Sequence, residues 1–299
     1  MIKGVNFSSW LFALAVLIGG CKEIPPNIDF SDPVVLAKDT TYITNDLPSG
    51  IKNNVLIEDI SGVKCNNCPK AAKIAHDIQD NNAEGRVVVM TLHIMELPQL
   101  TSPYSTSNDT FNTVVSSEIA TTRYIGNISG LPTGGINRKV FDGQTQTYLS
   151  YTTWESHVDE LLKEEAKAAI DLEVAAKENR KFLVNVTSTF LESDETPVYM
   201  SIYLTESKII SKQLSTDGPI DDYEHNYILR QGITNVSGIK LADKVEEGRV
   251  FEKGVEFEIP NKYDLENCNI VVLLTKADSK PDPTPDDYQV IQCAEVSVL

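Results

Sequence analysis

No stretch of this 299-residue chain is apolar for long enough to cross a bilayer as a helix. The longest apolar run, Trp10 to Ile18, has about half the roughly 20 residues such a helix needs. Positive charge is also scarce. The chain has 26 Lys and Arg against 43 Asp and Glu, a net charge of −17. That balance excludes a nucleic-acid partner held by phosphate contacts and argues against adhesion to anionic lipid. There is no second CxxC, no HExxH, no phosphate-cradling glycine loop and no Ser-His-Asp order. Histidine occurs four times, and neither His76 nor His93 has a partner at zinc-ligand spacing relative to Cys65 and Cys68. Copper-handling cysteine pairs are usually spaced more widely. No metal and no cofactor is therefore expected.

The N-terminus does carry an address. Lys3, the apolar run to Ile18 and the small pair Gly19-Gly20 read as a secretory signal peptide over residues 1–20. Ile18-Gly19-Gly20-Cys21 resembles a bacterial lipobox, which implies a lipidated Cys21 as the mature N-terminus. Acyl chains on that cysteine would hold the protein at a membrane without a spanning helix. Residues 21–50, rich in prolines and acids, read as a tether with one strand near Thr41 to Ile43.

Four cysteines remain after Cys21, an even number that suits disulfides in an oxidising envelope. Two of them lie in VKCNNCPKAAKIAHDI. Val55 to Ile60 before the pair is a strand-length apolar run. Ala71, Ala72, Ile74, Ala75 and Ile78 after it recur at helical spacing, and RVVVMTLHI follows as a second buried strand. The order strand, CxxC, helix, strand is a βαβ unit. At the strand-to-helix turn, Cys65 is expected at a helix N-terminus. Unpaired N–H groups and the macrodipole would favour its thiolate there, with Lys64 adding positive charge. Cys68, one turn on, would resolve a mixed disulfide. Pro69 is tolerated only in the first helical turn and so pins the helix start.

The motif resembles the thioredoxin superfamily. The resemblance implies a buried, proton-relaying acid at Asp59, six residues before the first cysteine. It also implies a cis proline at Pro132, within Leu131-Pro132-Thr133, facing the cysteines. Asn112 to Tyr124 and Thr153 to Glu165 supply further helical segments. Val63-Lys64 before the pair, and the Ser-, Thr- and Pro-rich insertion from Glu96 to Thr110, depart from thioredoxin.

From about Ile170 the pattern becomes a series of alternating, β-branched strands divided by turn residues, which implies a β-sandwich. The segment from Ile209 to Lys244 is expected to cross between sheets, with His225 as a local hydrogen-bonding residue. Cys268 and Cys293 flank the loop DSKPDPTPDD, and the midpoint between the two cysteines falls at Lys280-Pro281, inside that loop. If the flanking strands form a hairpin, the two cysteines face each other, so a structural disulfide worth about 2–4 kcal/mol is expected. The acids of that loop lack EF-hand spacing and read as a solvated loop.

A more specific resemblance covers nearly the whole mature chain. EDISGVKCNNCPKAAKIAHDI, GLPTGGINR and DYEHNYILR are similar to the outer membrane protein 28-related lipoproteins of Bacteroidetes. The resemblance implies an α/β thioredoxin-like domain over residues 51–168, followed by an all-β immunoglobulin-like sandwich over 169–299. It also implies a lipoprotein of the outer membrane, facing the periplasm or the surface. Two functions follow as expectations. In one, the CxxC exchanges disulfides with a protein client. In the other, the protein is a surface binding protein or adhesin and the CxxC is inert.

Overall fold

In the computed structural model, the two apolar runs that flank the cysteine pair become neighbouring parallel strands. The structure describes Met1, Val34 and residues 36–82, 84–107, 109–277 and 287–299. The expected signal peptide, Cys21, the first part of the tether and the loop acids Asp278, Asp282 and Asp286 lie outside the described residues.

The first half contains β1 (Leu36–Ile43), β2 (Val55–Ser61), α1 (Cys68–Asn81), β3 (Val87–His93), α2 (Pro98–Thr101), α3 (Val114–Thr122), β4 (Thr133–Ile136) and α4 (Trp154–Leu161). Strands then predominate: β5 (Ala168–Ala176), β6 (Lys181–Phe190), β7 (Val198–Glu206), β8 (Ile209–Ser215), β9 (Gly218–His225), β10 (Ile228–Gly232) and β11 (Ile239–Ala242). They end with β12 (Arg249–Glu258), β13 (Cys268–Lys276) and β14 (Val290–Ser297).

One mixed sheet runs β14-β13-β7-β10-β3-β2-β4, with β11 added to β7. A second, four-stranded sheet runs β1-β12-β6-β5. The larger sheet takes strands from both sides of the expected boundary at residue 168. The junction is the parallel contact of β10 with β3, where Thr91 N donates to Tyr227 O at 2.8 Å. Val34–Leu299 accordingly forms one compact unit. A pairing so distant in sequence leaves no trace in local periodicity.

Strand alternation divides the core. Ile270, Val272 and Leu274 face the four-stranded sheet and pack with Phe182, Val184 and Phe257. Val271 and Leu273 face the other way, with Tyr203, Met90 and Leu92. In the first half, Val55, Ile57, Val87 and Val89 meet α1 and α4 through Ala71, Ala75, Trp154 and Val158. With both faces covered, β2 and β3 are buried along their entire length.

The expected Cys268–Cys293 bridge does not form. Both cysteines are free and buried. β13 and β14 do form an antiparallel pair, but its register sets Cys293 opposite Leu273, and Cys268 lies at the far end of β13. The two side chains also enter different cores, Cys268 toward the four-stranded sheet and Cys293 toward the opposite face. The centre of the hairpin lies further along the loop than the midpoint of the two cysteines, so the two are out of register.

Candidate functional site

The site begins at the carboxyl end of β2, where the chain turns from Ser61 to Cys68. Gly62 is required by close packing: a Cβ there would meet the Leu100 carbonyl oxygen at 2.6 Å. Cys65 N donates to Gly62 O at 3.1 Å, and Cys68 N donates to Cys65 O at 3.3 Å. The helix α1 then starts at Cys68, with Pro69 in its first turn. Cys65 therefore precedes the helix by three residues instead of capping it. The cap position belongs to Asn67, whose side chain makes no capping bond. Cys65 and Cys68 are joined as a disulfide.

Both cysteines are enclosed, at 2% and 1% exposure. Two segments cover them. Leu100 O, in the insertion between β3 and α3, accepts from Lys64 N at 2.8 Å. On the other side, Leu214 N of β8 donates to Val63 O at 2.9 Å. Gln213 Nε2 donates to Gly62 O at 3.3 Å and to Cys65 O at 3.1 Å. Between the pair and the β8–β9 hairpin lies a cavity of about 20 Å³, lined by Cys68, His76, His93, Gln213, Tyr223 and His225.

Asp59 is fully buried on β2, and neither carboxylate oxygen has a hydrogen-bond partner among the described residues. Burial disfavours its charged form and pushes its pKa up to about 8. Tyr223 of β9 is pushed up to about 12, first by burial and then by the Asp59 charge. His93 and His225 lie with ring centroids 5.9 Å apart. Burial lowers both imidazoles, His225 to about 4. His93 Nδ1 and His225 Nε2 have no hydrogen-bond partner among the described residues.

The Leu131–Pro132 peptide bond is cis. Pro132 immediately precedes β4, whose Thr133 pairs with Ile60 at the carboxyl end of β2. The proline thus lies at the end of the sheet from which the chain leads to Cys65. The segment after it is fixed by two devices. Gly134 allows β4 to approach β2, since a Cβ there would meet Glu58 O at 2.2 Å. Asn137 then turns with φ of 48° and extends the ladder: its side chain accepts from Leu56 N at 2.7 Å, and its own N–H donates to Leu56 O at 3.0 Å.

No local pattern in the sequence marks the hairpin that covers the pair. His225, read as a local polar residue, is buried over the cysteine turn, and Gln213 carried no signal in the sequence. The stretch DYEHNYILR runs through the end of its return strand into β10 without indicating where that strand packs. Among the described residues, no group of three or more His, Cys, Asp or Glu side chains is arranged to hold a metal ion.

Fold and site together define a β-rich protein with an enclosed CxxC disulfide at a strand-to-helix turn. Residues 119–298 match the family model described as outer membrane protein Omp28, and the chain belongs to that family. Membership assigns it to the outer membrane of the cell envelope. Among solved structures it is similar to HBP35 of Porphyromonas gingivalis, with a TM-score of 0.62 and 16% identity over 84% of this chain and 77% of that one. A domain of the outer membrane lipoprotein Omp28 from Porphyromonas gingivalis aligns with a TM-score of 0.29 and 16% identity, over 44% of this chain and 88% of that one. No curated protein matches the chain.

Proposed function

We propose that this outer-membrane protein is a lipid-anchored thiol–disulfide exchange protein, built from a thioredoxin-like unit and an immunoglobulin-like sandwich that share a sheet. The carrying observation is Asp59: a carboxyl buried without a partner, pushed to about 8, on the strand that leads into the cysteine turn. An acid held protonated near neutral pH can give a proton to a departing thiolate and take it back. The parallel β2–α1–β3 unit, the antiparallel β4 and the cis bond before it support the same reading.

From the oxidised pair, the exchange runs in two steps. A client thiolate attacks Cys65 Sγ, the Cys65–Cys68 bond breaks, and Cys68 leaves as a thiolate that takes a proton from Asp59. A second client thiol gives its proton to Asp59 and attacks the mixed disulfide, releasing Cys65 as a thiolate that takes up a proton from water. The client gains a disulfide and the pair becomes a dithiol. Run backwards, the same steps reduce a client, with Cys65 attacking and Cys68 resolving. Pro132 would shape the groove for the client, and Cys21 would tether the unit to the membrane.

One observation favours the rival reading, a surface binding protein with an inert CxxC: both sulfurs are buried. Trapping separates the two. Reduced Cys68→Ser protein should hold envelope proteins as mixed disulfides on Cys65 that a reductant releases. Absence of such adducts would favour the scaffold reading.

A further inference from the structure

The cover over the cysteine pair belongs to neither element that presents the pair. Among the described residues, β8 and β9 pair only with each other and join neither large sheet. The hairpin leaves the body of the protein at two stems, and at each one a non-glycine residue takes the left-handed conformation. Lys208 and Tyr227 both have φ of 57°, a region that ordinary side chains occupy at a cost and that marks segments held by their surroundings. Each stem is closed by one side chain: Lys208 N donates to Asn226 Oδ1 at 2.8 Å, and Tyr227 N donates to Ser207 Oγ at 2.9 Å. The far face of the hairpin is open, with Ile210 58% and Ile220 40% exposed.

Chemistry at the pair is blocked while this hairpin is down. Exchange needs a sulfur to approach along the S–S axis. A cavity of about 20 Å³ admits one water and no thiol. The carbonyls of Gly62, Val63 and Cys65, which an extended client segment would use as acceptors, already accept from Gln213 and Leu214.

We infer that the β8–β9 hairpin is a lid that occupies the client's place, and that the Cys65–Cys68 disulfide becomes reactive only when the hairpin swings out about Ser207–Lys208 and Asn226–Tyr227. This rests on the exchange reading above for its biological purpose, but the lid itself is testable without any client.

The test is reduction of the oxidised full chain by dithiothreitol, which passes two electrons and two protons to the pair and becomes a cyclic disulfide. Samples are quenched and alkylated, and the modified cysteines are counted by mass. Gln213→Ala removes both side-chain bonds to the cysteine turn and should speed reduction about fivefold or more. Gln292→Ala is the control. It removes an equally buried amide, whose Nε2 donates to Lys52 O and Ala168 O and whose Oε1 accepts from Asn54 N and Cys293 N, all away from the lid, and should leave the rate within about twofold. Equal acceleration by both variants would mean that the pair reacts only through general unfolding and would overturn the lid, as would no acceleration by Gln213→Ala. Should the variant fail to fold, hydrogen exchange in the wild type decides. The Leu214 amide should exchange at least about tenfold faster than the Val88 and Met90 amides of β3, and equal protection would overturn the lid. If Gln213→Ala accelerates reduction while trapping with reduced Cys68→Ser captures no client, the lid stands and the exchange function falls.

Discussion

Arg138 grips Glu58 at two points, Nε to Oε2 at 2.9 Å and Nη2 to Oε1 at 2.6 Å, with both side chains buried and 80 positions apart in the sequence. Tyr124 adds a third bond to the same carboxylate at 2.8 Å. The adjacent residue, Asp59, points to the other face of β2 and has no such partners. One strand therefore carries a satisfied carboxylate beside an unsatisfied one, and the second is the group proposed above to carry the proton.

Removing one member of the satisfied pair leaves a buried charge alone. Arg138→Met should cost about 3–5 kcal/mol in urea unfolding. Adding Glu58→Leu should recover a large part of that loss, because the stranded charge goes with it. Simple additivity of the two losses would show that the pair is not coupled as described.

Asp59 sets a pH dependence of definite sign. Its folded pKa of about 8 lies above the ordinary 3.8, so the folded state binds the extra proton. Stability from this group is complete below about pH 4 and is lost as pH rises toward 8, with a slope of at most about 1.4 kcal/mol per pH unit. Asp59→Asn should remove that slope. The difference between variant and wild-type urea midpoints, followed from pH 5 to pH 8 (about four points suffice to define it), is the measurement. A constant difference would mean that Asp59 is not held protonated.

The buried imidazoles work in the opposite direction. His93 and His225 are lowered by burial, so the unfolded chain binds their protons first as pH falls. Their contribution is present above the ordinary 6.5 and is lost as pH falls toward about 4 for His225. His225→Gln should make the wild-type loss of stability between those values shallower. An unchanged acid limb would rule out the neutral, buried imidazole.

How much of this was legible follows from where the information lies. The βαβ unit around the cysteines and the strands beyond Ile170 were readable because each depends on local periodicity. Asp59 and Pro132 came from a family resemblance, and the register of β4 on β2 brings them to one end of the sheet. Three features were not readable, for the same physical reason. The β3–β10 contact that merges the two halves, the register of β13 on β14 and the packing of Gln213 over Cys65 are all long-range choices among competing partners. No spacing rule in the sequence encodes them.

Cys268 and Cys293 should behave as inert thiols. Burial pushes Cys268 to about 12 and raises Cys293 further still. In native protein neither should react with iodoacetamide over hours. After denaturation without reductant, peptide mapping should find both labelled and Cys65 and Cys68 unlabelled. Unlabelled Cys268 and Cys293 would instead indicate the bridge that the register forbids.

The central claim is that the Cys65–Cys68 pair passes electrons to and from proteins. The direct measurement is the rate at which the oxidised full chain forms disulfides in a reduced protein client, with the Gln213→Ala variant run alongside and Cys65→Ser as the control. The account predicts transfer by the wild type, faster transfer by Gln213→Ala and none by Cys65→Ser. No transfer by either of the first two, or equal transfer by Cys65→Ser, would contradict it.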